Sequence, residues 1–260
     1  MDFGLRGKKA FVTGGSYGIG RAIALGLADE GCDVAICARQ ASPLEDTVQA
    51  VQERGCLSLG FQGDVTEQGM PDRVVKAMVQ AWGTIHILVN NVGGGGQQIN
   101  QPVETIQDDI WEHTFSVNTW AAIRFTRAAI PFMQRERWGR VVTVVSAQGR
   151  EGGGRPWYNM SKSAEISLMK TLALDQKLVQ AGLTFNSVAP GTILLKGNEW
   201  DQFKMRDSAG FQQVIQGKCP MKRPGYPEEV ANVVTFMCST KASLMNGACV
   251  AVDGGESRSF

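Results

Sequence analysis

Two polar residues four positions apart, Tyr158 and Lys162, are the strongest chemical signal in the sequence. On a helix, this spacing places them one turn apart on the same face. A free tyrosine ionises at about pH 10, which is too high for an efficient base at neutral pH. The positive charge of a neighbouring lysine favours the phenolate, so Tyr158 could give or take the proton of an alcohol–carbonyl pair. By itself, however, this pair is common on helix surfaces.

Ser146 strengthens the interpretation. It is predicted to end an apolar strand, Val141–Ser146, and therefore to lie at the carboxyl edge of a sheet, where open α/β folds bind ligands. A hydroxyl at that edge could donate a hydrogen bond to a substrate oxygen and stabilise charge as it develops. A serine at the start of a loop is also a common turn residue or helix cap, which is the competing interpretation.

A glycine-rich turn, TGGSYGIG, follows the first apolar strand and precedes a helix. Its glycines permit a tight turn and let backbone N–H groups approach a pyrophosphate at the helix N-terminus. An ordinary strand–helix connection is the alternative, but the position in a βαβ unit favours a dinucleotide site. The candidate cofactor-binding residues in this turn are Gly14, Ser16, Tyr17, Gly18, Ile19 and Gly20.

The end of the second strand indicates which dinucleotide is bound. Sites for NAD usually carry an acid about 20 residues past the glycines, where it binds the ribose diol. Here that place holds Arg39, while Asp33 lies at the opposite end of the strand. A guanidinium suits the 2′-phosphate of NADP by charge and by bidentate geometry, so NADP(H) is favoured and NAD(H) remains possible. A solvent-facing arginine is the alternative.

Apolar strand-like runs alternate with longer amphipathic runs along the whole chain, and no shift in composition interrupts them. This alternation predicts one doubly wound domain over residues 1–260, with a parallel sheet covered by helices on both faces. Residues 192–217 fit no sheet position and are predicted to form a helical insertion on the substrate side. The predicted strands are Ala10–Thr13, Val34–Ala38, Leu57–Gln62, Ile85–Asn90, Val141–Ser146, Thr184–Val188 and Cys249–Val252. The predicted helices are Gly18–Glu30, Leu44–Arg54, Pro71–Trp82, Asp108–Arg135, Tyr158–Ala181 and Pro227–Ser239.

The composition argues against several other classes of protein. The 260 residues carry a net charge of +1, which does not indicate nucleic acid or another polyanion as a partner. Six cysteines without a CxxC pair and only two histidines argue against a metal site and favour a reducing compartment, so we expect a cytoplasmic protein. The N-terminus lacks the apolar segment of a signal peptide, and no apolar run approaches the roughly 18 residues of a membrane span.

With these motifs in this order, the sequence resembles the short-chain dehydrogenase/reductase family along nearly its whole length. The matching elements are TGGSYGIG, Asp64-Val65, NNVG at 90–93, Asn118, Ser146, Tyr158 with Lys162, Pro190-Gly191 and VDGG at 252–255. The resemblance implies a Rossmann-like fold with a seven-stranded sheet. It also implies hydride transfer between NAD(P)(H) and a small-molecule carbonyl or secondary alcohol, and relatives are often homotetramers.

The resemblance assigns roles to individual residues. It implies a catalytic tetrad of Asn118, Ser146, Tyr158 and Lys162, in which Asn118 holds a water that relays protons to Lys162. Asp64 and Val65 should flank the adenine, and the backbone of Ile193 should bond the nicotinamide carboxamide. Asn91 and Gly93 should lie by the adenosine ribose and the chain beyond it. Further cofactor contacts are implied for Tyr158, Lys162, Pro190 and Gly191.

Three departures from the family pattern concern the cofactor and the substrate. Val92 replaces the usual alanine of NNAG, and Leu195 stands where many relatives have a threonine that contacts the cofactor. The loop from Ser146 to Tyr158 is about one residue shorter than in many relatives and is rich in glycine and arginine. Because this loop borders the substrate, close relatives do not identify the substrate.

Several residues are candidates for the substrate side. Gln148, Trp157 and Trp200 are predicted to form a pocket wall, although Trp157 could equally face the core or a subunit interface. The glycine stretches 93–96 and 149–154 could admit a bulky substrate or serve only as turns. Arg150 and Arg155 could anchor an anionic group or be solvated. The alternative functions are a 3-oxoacyl thioester reductase of lipid metabolism and a cofactor-sensing protein without catalysis.

Overall fold

The computed structural model describes residues 2–95 and 102–259, and its described strands form one seven-stranded, all-parallel sheet. The strands are β1 (Lys9–Thr13), β2 (Asp33–Ala38), β3 (Ser58–Gln62), β4 (Ile87–Asn90), β5 (Gly139–Val144), β6 (Leu183–Pro190) and β7 (Cys249–Val252). Their order across the sheet is β3-β2-β1-β4-β5-β6-β7. Because the order reverses between β1 and β4, a crevice for ligands is expected outside the carboxyl ends of these two strands.

Ten α-helices lie in the described ranges. They are α1 (Gly18–Asp29), α2 (Ala41–Gln52), α3 (Met70–Trp82), α4 (Asp108–Phe115), α5 (Ala121–Glu136), α6 (Pro156–Ala173), α7 (Gln176–Gln180), α8 (Glu199–Arg206), α9 (Ser208–Lys218) and α10 (Pro227–Cys238). A single turn of π-helix, Ser116–Trp120, joins α4 to α5.

Alternation along the strands divides the core into two layers. Val12 and Ile36 point into one apolar cluster, which α1, α2 and α10 cover. Phe11 and Cys37, one position away on the same strands, point into the opposite cluster, which α3, α5 and α6 cover. Successive side chains of a strand face opposite sides of the sheet, so a strand covered on both faces is apolar throughout. The predicted doubly wound sheet with helices on both faces is confirmed.

The structure corrects the predicted boundaries in three places that concern the site. Strand β5 ends at Val144, so Ser146 lies two residues past the strand and starts a short 3-10 turn. The predicted helix Asp108–Arg135 is interrupted by the π turn, and the predicted helix Tyr158–Ala181 ends at Ala173. Helix α7 then begins at Gln176, and the carboxylate of the preceding Asp175 caps it by accepting hydrogen bonds from two backbone N–H groups.

The segment after β6 contains α8 and α9. These helices pack mainly on each other, around Phe211, Ile215 and Cys219, rather than in the two large clusters. Trp200 and Phe203 of α8 contact the ring of Phe211 edge-on, at centroid distances of 6.5 and 6.0 Å. This small separate core places α8 beside the carboxyl end of β6.

In the two ranges described, no helix combines the length and the apolar character needed to cross a membrane. The same ranges contain no group of three or more His, Cys, Asp or Glu side chains that could hold a metal ion.

Candidate functional site

A cleft of about 320 Å³ opens at the carboxyl edge of the sheet, beside the ends of β1, β4, β5 and β6. Thirteen of the residues predicted from the sequence line it: Tyr17, Gly18, Ile19, Gly20, Asn91, Gly93, Ser146, Tyr158, Lys162, Pro190, Gly191, Ile193 and Trp200. They come from segments that are far apart in the chain, and the parallel sheet brings them to one edge.

The glycine turn forms one wall of the cleft and leads into α1. Tyr17 precedes the helix in an extended conformation, gives no side-chain cap, and no acidic residue follows in the first turn. The N–H groups of that turn are therefore available to an anion. Gly14 and Gly18 have φ of +66° and +56°, which favours glycine. At Gly20, a Cβ would collide with the Gly14 carbonyl. This cradle fits the pyrophosphate of a dinucleotide.

Asn91 ties the end of β4 to this turn. Its side-chain Nδ2 donates to the carbonyl of Thr13 at 2.9 Å, and its backbone N–H donates to the Thr13 hydroxyl at 2.9 Å. The backbone N–H of Val92 donates to the same hydroxyl at 3.0 Å. Val92, which replaces the usual alanine, lies against Gly14, where an added Cβ would approach it to 2.9 Å. The larger valine is therefore accommodated next to a glycine.

Tyr158 and Lys162 lie one turn apart near the start of α6. Tyr158 is half-buried and faces the cleft, and Nζ of Lys162 lies 6.0 Å from the centroid of its ring. Lys162 is almost fully buried, and its Nζ donates to the Val144 carbonyl at 3.1 Å and to Oε2 of Glu165 at 2.8 Å. Burial acts to lower the pKa of Lys162, but the charges of Glu165 and then Tyr158 outweigh it and raise the pKa above 10.5. Lys162 is therefore an ammonium at neutral pH.

Ser146 and Asn118 flank this pair in different ways. Ser146 lines the cleft, and its Oγ accepts a hydrogen bond from the N–H of Gln148 at 3.2 Å, so it also caps the 3-10 turn that it begins. Asn118 lies in the π turn and is fully buried, outside the cleft lining. Its Nδ2 donates to the carbonyls of Thr114 and Gly94, and its Oδ1 accepts from the N–H of Gly94.

Gly93 lies between Asn118 and Lys162. A Cβ on Gly93 would lie 2.5 Å from Oδ1 of Asn118 and 2.6 Å from Nζ of Lys162. Only glycine therefore lets the chain after β4 pass between these two polar groups without displacing them. The π turn has a related effect, because the extra residue in that turn changes the direction in which Asn118 points.

The residues predicted at the adenine and at the 2′-phosphate are not among those that line this cleft. Arg39 is exposed directly after β2, and its carbonyl accepts a hydrogen bond from Gln62. Burial acts to raise the pKa of Asp64, but hydrogen bonds from Thr66, together with the charge of Arg39, outweigh it and lower the pKa. Asp64 is thus an anion close enough to Arg39 to feel its charge. Val65 is buried in the apolar cluster beneath α3 and α5, and Ser16 is half-buried.

Ile193 and Leu195 line the cleft after β6. Ile193 pairs with Gly225 in an isolated parallel bridge, and its carbonyl accepts a hydrogen bond from Nδ2 of Asn198 at 2.9 Å. Leu195 packs against Gly18, where an added Cβ would come within 3.0 Å of its side chain. An apolar contact thus replaces the hydroxyl that many relatives place at this position.

The candidate substrate residues are separated by the fold. Trp200 lines the cleft, whereas Trp157 is buried, donates from Nε1 to the Gly95 carbonyl at 2.9 Å and meets Trp111 edge-on. Gln148 lies beneath Gly154, and its Oε1 is buried with no hydrogen-bond partner among the described residues. Of the two glycine stretches, Gly96 lies outside the described residues.

Arg155 lies near the ring of Tyr158. Its guanidinium is 5.6 Å from the centroid of the Tyr158 ring and pairs with Glu199 of α8 at 3.7 Å. This ion pair joins the loop before α6 to the insertion after β6.

Several site residues escaped the sequence reasoning. Val144, Val145 and Asn198 line the cleft, and the Glu165 carboxylate accepts a hydrogen bond from Lys162. Glu165 follows Lys162 by three residues, which is a spacing that shares a helix face, so the signal was present. It could not be recognised without knowing that this face of α6 is buried.

This chain is similar to known proteins over nearly its whole length. A family model described as enoyl-(acyl carrier protein) reductase matches residues 14–257. Cyclohexanol dehydrogenase of Rhodococcus sp. (strain TK6) is 34% identical, with 96% of each chain covered. The 3-oxoacyl-[acyl-carrier-protein] reductase of Staphylococcus epidermidis is 31% identical, with 95% of this chain and 98% of the relative covered.

Solved structures show the same similarity. The crystal structure of L-sorbose reductase from Gluconobacter frateurii, complexed with NADPH and L-sorbose, superimposes with a TM-score of 0.91 at 31% identity. The alignment covers 100% of both chains.

Proposed function

This chain belongs to the short-chain dehydrogenase/reductase family, and we propose that it transfers a hydride between NADP(H) and a carbonyl or secondary alcohol, with Tyr158 as the acid/base. The general activity, that of an oxidoreductase with a nicotinamide cofactor, follows from the family. The finer assignment rests on one observation: a half-buried tyrosine faces the cleft with a buried ammonium 6.0 Å from its ring centroid.

The bound nicotinamide supplies the hydride for reduction of a carbonyl and accepts it in oxidation of an alcohol. In oxidation, the Tyr158 phenolate takes the hydroxyl proton, and in reduction its hydroxyl donates one to the developing alkoxide. Lys162 favours the phenolate by its charge, which the Val144 carbonyl and Glu165 hold in place. The hydroxyl of Ser146 donates a hydrogen bond to the substrate oxygen and keeps its proton.

Asn118 has a positioning role in this proposal. Its amide is fixed by the Thr114 carbonyl and by both backbone groups of Gly94, so it holds the π turn against the end of β4. Following the family resemblance, a water held at Asn118 relays protons to Lys162.

Cofactor binding is assigned to the glycine turn and to the strand ends beside it. The N–H groups at the start of α1 would hold the pyrophosphate, and Asp64 and Val65 would flank the adenine. Arg39, exposed after β2 and next to the buried Ala38, would contact the 2′-phosphate. This placement of a cation instead of an acid is the reason for preferring NADPH to NADH.

The test of the acid/base assignment is Tyr158→Phe, which removes the hydroxyl and keeps the ring. Turnover should fall by about 100-fold or more while cofactor still binds, because a general acid/base contributes at least that much. Tyr226→Phe is a matched control, since Tyr226 precedes α10 and does not line the cleft. Near-parental turnover of the folded Tyr158→Phe variant would refute the assignment.

A second candidate is a 3-oxoacyl thioester reductase, which the similarity to the Staphylococcus epidermidis enzyme favours. The same tyrosine chemistry would serve both candidates, so only the substrate distinguishes them. We propose to measure kcat/KM with NADPH for a panel of ketones, sugars, aryl carbonyls and 3-oxoacyl thioesters. Acyl thioesters that exceed all the simple ketones by more than tenfold would establish the second candidate.

We also propose that residues 192–217 cover the substrate, in a single domain over 1–260 that assembles as a cytoplasmic homotetramer. Trp200 lines the cleft, and the pair Arg155–Glu199 joins α8 to the opposite loop. Hydrogen exchange in this segment should slow when NADPH and a substrate bind. Equal exchange with and without ligands would contradict the cover, and sedimentation would test the tetramer.

A further inference from the structure

A buried carboxylate, that of Glu165, contacts Lys162. Glu165 is only 1% exposed, and its Oε2 accepts a hydrogen bond from Nζ of Lys162 at 2.8 Å. The other contact of Nζ is the Val144 carbonyl at the end of β5, at 3.1 Å. Lys162 therefore has a neutral oxygen on one side, an anionic oxygen on another, and the ring of Tyr158 at 6.0 Å.

Burial at this position is energetically unfavourable for a charged carboxylate. Its own helix, α6, also contributes Met169 and Ala173 to the apolar cluster against the sheet. Burial of an ionised group has a desolvation penalty, and the attraction to a charged partner offsets it only when the geometry of the pair is good. An apolar side chain of similar volume is often equally stable at such a position. Burial accordingly raises the pKa of Glu165, and Lys162 offsets only part of that rise.

Few charges act on this pair. Among the described residues, the charges with the main effect on Lys162 are those of Glu165 and Tyr158, and the main charge that acts on Glu165 is that of Lys162. Strand β5 presents a neutral carbonyl, and the π turn presents the neutral amide of Asn118 behind Gly93. Tyr158 is also faced by Arg155, which pairs with Glu199 of α8.

We propose that Glu165 is a positioning residue that acts on Tyr158 through Lys162: its carboxylate holds the ammonium against the end of β5 and offsets part of the positive charge that Tyr158 experiences. The inference rests on the proposed function, in which Lys162 favours the phenolate. Removal of the Glu165 charge should therefore make the Tyr158 phenolate easier to form.

The test is Glu165→Gln, which keeps the shape and an acceptor oxygen but removes the charge. The chain has three tyrosines, so the ultraviolet absorbance of phenolate, after subtraction of a Tyr158→Phe titration, reports Tyr158 without any substrate or cofactor. We expect the midpoint of this titration to fall by roughly half a pH unit to one and a half units. A shift of this order is the effect that one unit charge has on a neighbouring ionisable group inside a protein. Glu165→Asp keeps the charge and should stay near the parental midpoint.

Two further variants make the test specific. Glu112→Gln removes the same charge from an exposed position of α4, the helix that packs against α6, and should not move the midpoint. Glu165→Leu also removes the charge, and its apolar side chain is suited to a buried site. If the thermal unfolding curve of Glu165→Gln shows that this variant is not folded, the titration is repeated with Glu165→Leu.

The outcomes are distinct. An unchanged midpoint in a folded charge-free variant would show that Glu165 only fills space, and a rise would show that Lys162 loses its proton without Glu165; either overturns the proposal. The proposed function is judged separately, by the loss of turnover in Tyr158→Phe. Full turnover in that variant would refute Tyr158 as acid/base whatever Glu165 does.

Discussion

Strand β5 has a buried cation at each end, and the two are held by different means. At its carboxyl end, Nζ of Lys162 is bound by the Val144 carbonyl and by the Glu165 carboxylate. At its start, Arg140 is 4% exposed and donates to the carbonyls of Gly139, Gly182 and Ser239. The described part of the chain places no carboxylate within 4.0 Å of its guanidinium.

The chemistry of the two side chains accounts for this difference. Arg140 stacks over Trp138 at 4.4 Å, and burial lowers its pKa from the usual value, although a guanidinium stays charged at any physiological pH. Several carbonyls and an aromatic face are therefore enough to hold it. A lysine loses its proton more readily when it is buried, and at Lys162 the charge of the Glu165 carboxylate opposes that effect of burial. The buried cation at the amino end of β5, Arg140, is thus expected to stabilise the fold. The buried cation at the carboxyl end, Lys162, is expected to supply a positive charge to the site.

Replacement of Lys162 by Met should have the largest effect. We expect turnover to fall about 100-fold or more, the basic limb of the pH–rate profile to move upward, and NADPH to bind more weakly. Steady-state kinetics and a fluorescence titration with NADPH measure these changes. Lys170→Met, an exposed position on the same helix, is the matched control. An unshifted profile with normal NADPH affinity would leave Lys162 without a catalytic role.

Replacement of Arg140 by Met tests the other end of the strand. The change removes hydrogen bonds to three carbonyls, so the free energy of unfolding should fall by about 2–3 kcal/mol, the scale of hydrogen bonds to a charged group. The kcat of the folded variant should remain near the parental value. Denaturant unfolding measures the expected loss of stability, and steady-state kinetics measure kcat. If Arg140→Met loses turnover and keeps its stability, Arg140 serves catalysis and not the fold, and the proposed difference between the two ends of β5 is wrong.

A change at the end of β2 tests a third cation, which is exposed. Replacing Ala38 by Asp and Arg39 by Leu should turn a preference for NADPH, on the order of tenfold to a hundredfold, into one for NADH. The physical reason is charge, since a carboxylate repels the 2′-phosphate and accepts hydrogen bonds from both ribose hydroxyls. The measurement is kcat/KM for each cofactor, and Arg39→Leu alone should only weaken the preference. A parent that prefers NADH would show that Arg39 points away from the ribose.

The smallest effect is expected at His86, beside Arg140 at the amino edge of the sheet. Burial and the charge of Lys8 lower its pKa to about 4, and its Nδ1 accepts a hydrogen bond from the N–H of Lys9. The unfolded chain binds this proton at about pH 6.5, so stability is complete above that pH and is lost as pH falls toward 4. Allowing for solvent screening at a partly exposed ring, we expect a loss of about 1–2 kcal/mol.

The two histidines of the chain provide the comparison for this measurement. His86→Gln should flatten the dependence of unfolding free energy on pH between about 6.5 and 4. His113→Gln, at an exposed position of α4, should leave it unchanged. Identical slopes in the parent and in His86→Gln would show that a half-buried, neutral His86 does not contribute to this pH dependence.

Much of the site was accessible from local patterns. The apolar runs predicted the strands, because a parallel strand covered on both faces must be apolar throughout. The glycines before α1 and the four-residue spacing of Tyr158 and Lys162 are local geometry too, since a turn or a helix turn involves only near neighbours. The parallel sheet then required the chain segments that carry Ser146 and Tyr158 to meet at one edge.

Other features depend on which surfaces meet. The π turn at Asn118 interrupts a pattern that is helical by its sequence, and the chain after β4 passes beside it only because residue 93 is glycine. Trp157 and Trp200 look alike as aromatic candidates, yet the fold buries the first and places the second in the cleft. Ser146 lies past β5 because pairing with β6 stops at Val144.

The sequence by itself determined the kind of fold, the cofactor cradle and the chemical types at the site, because these follow from periodicity, glycine positions and motif order. Only the tertiary structure decided that the Glu165 carboxylate contacts Lys162 in the interior and that carbonyl groups hold the buried Arg140. The physical reason is burial. A charge three residues along a helix interacts weakly in water, and its influence becomes strong only when distant segments of the chain exclude the solvent.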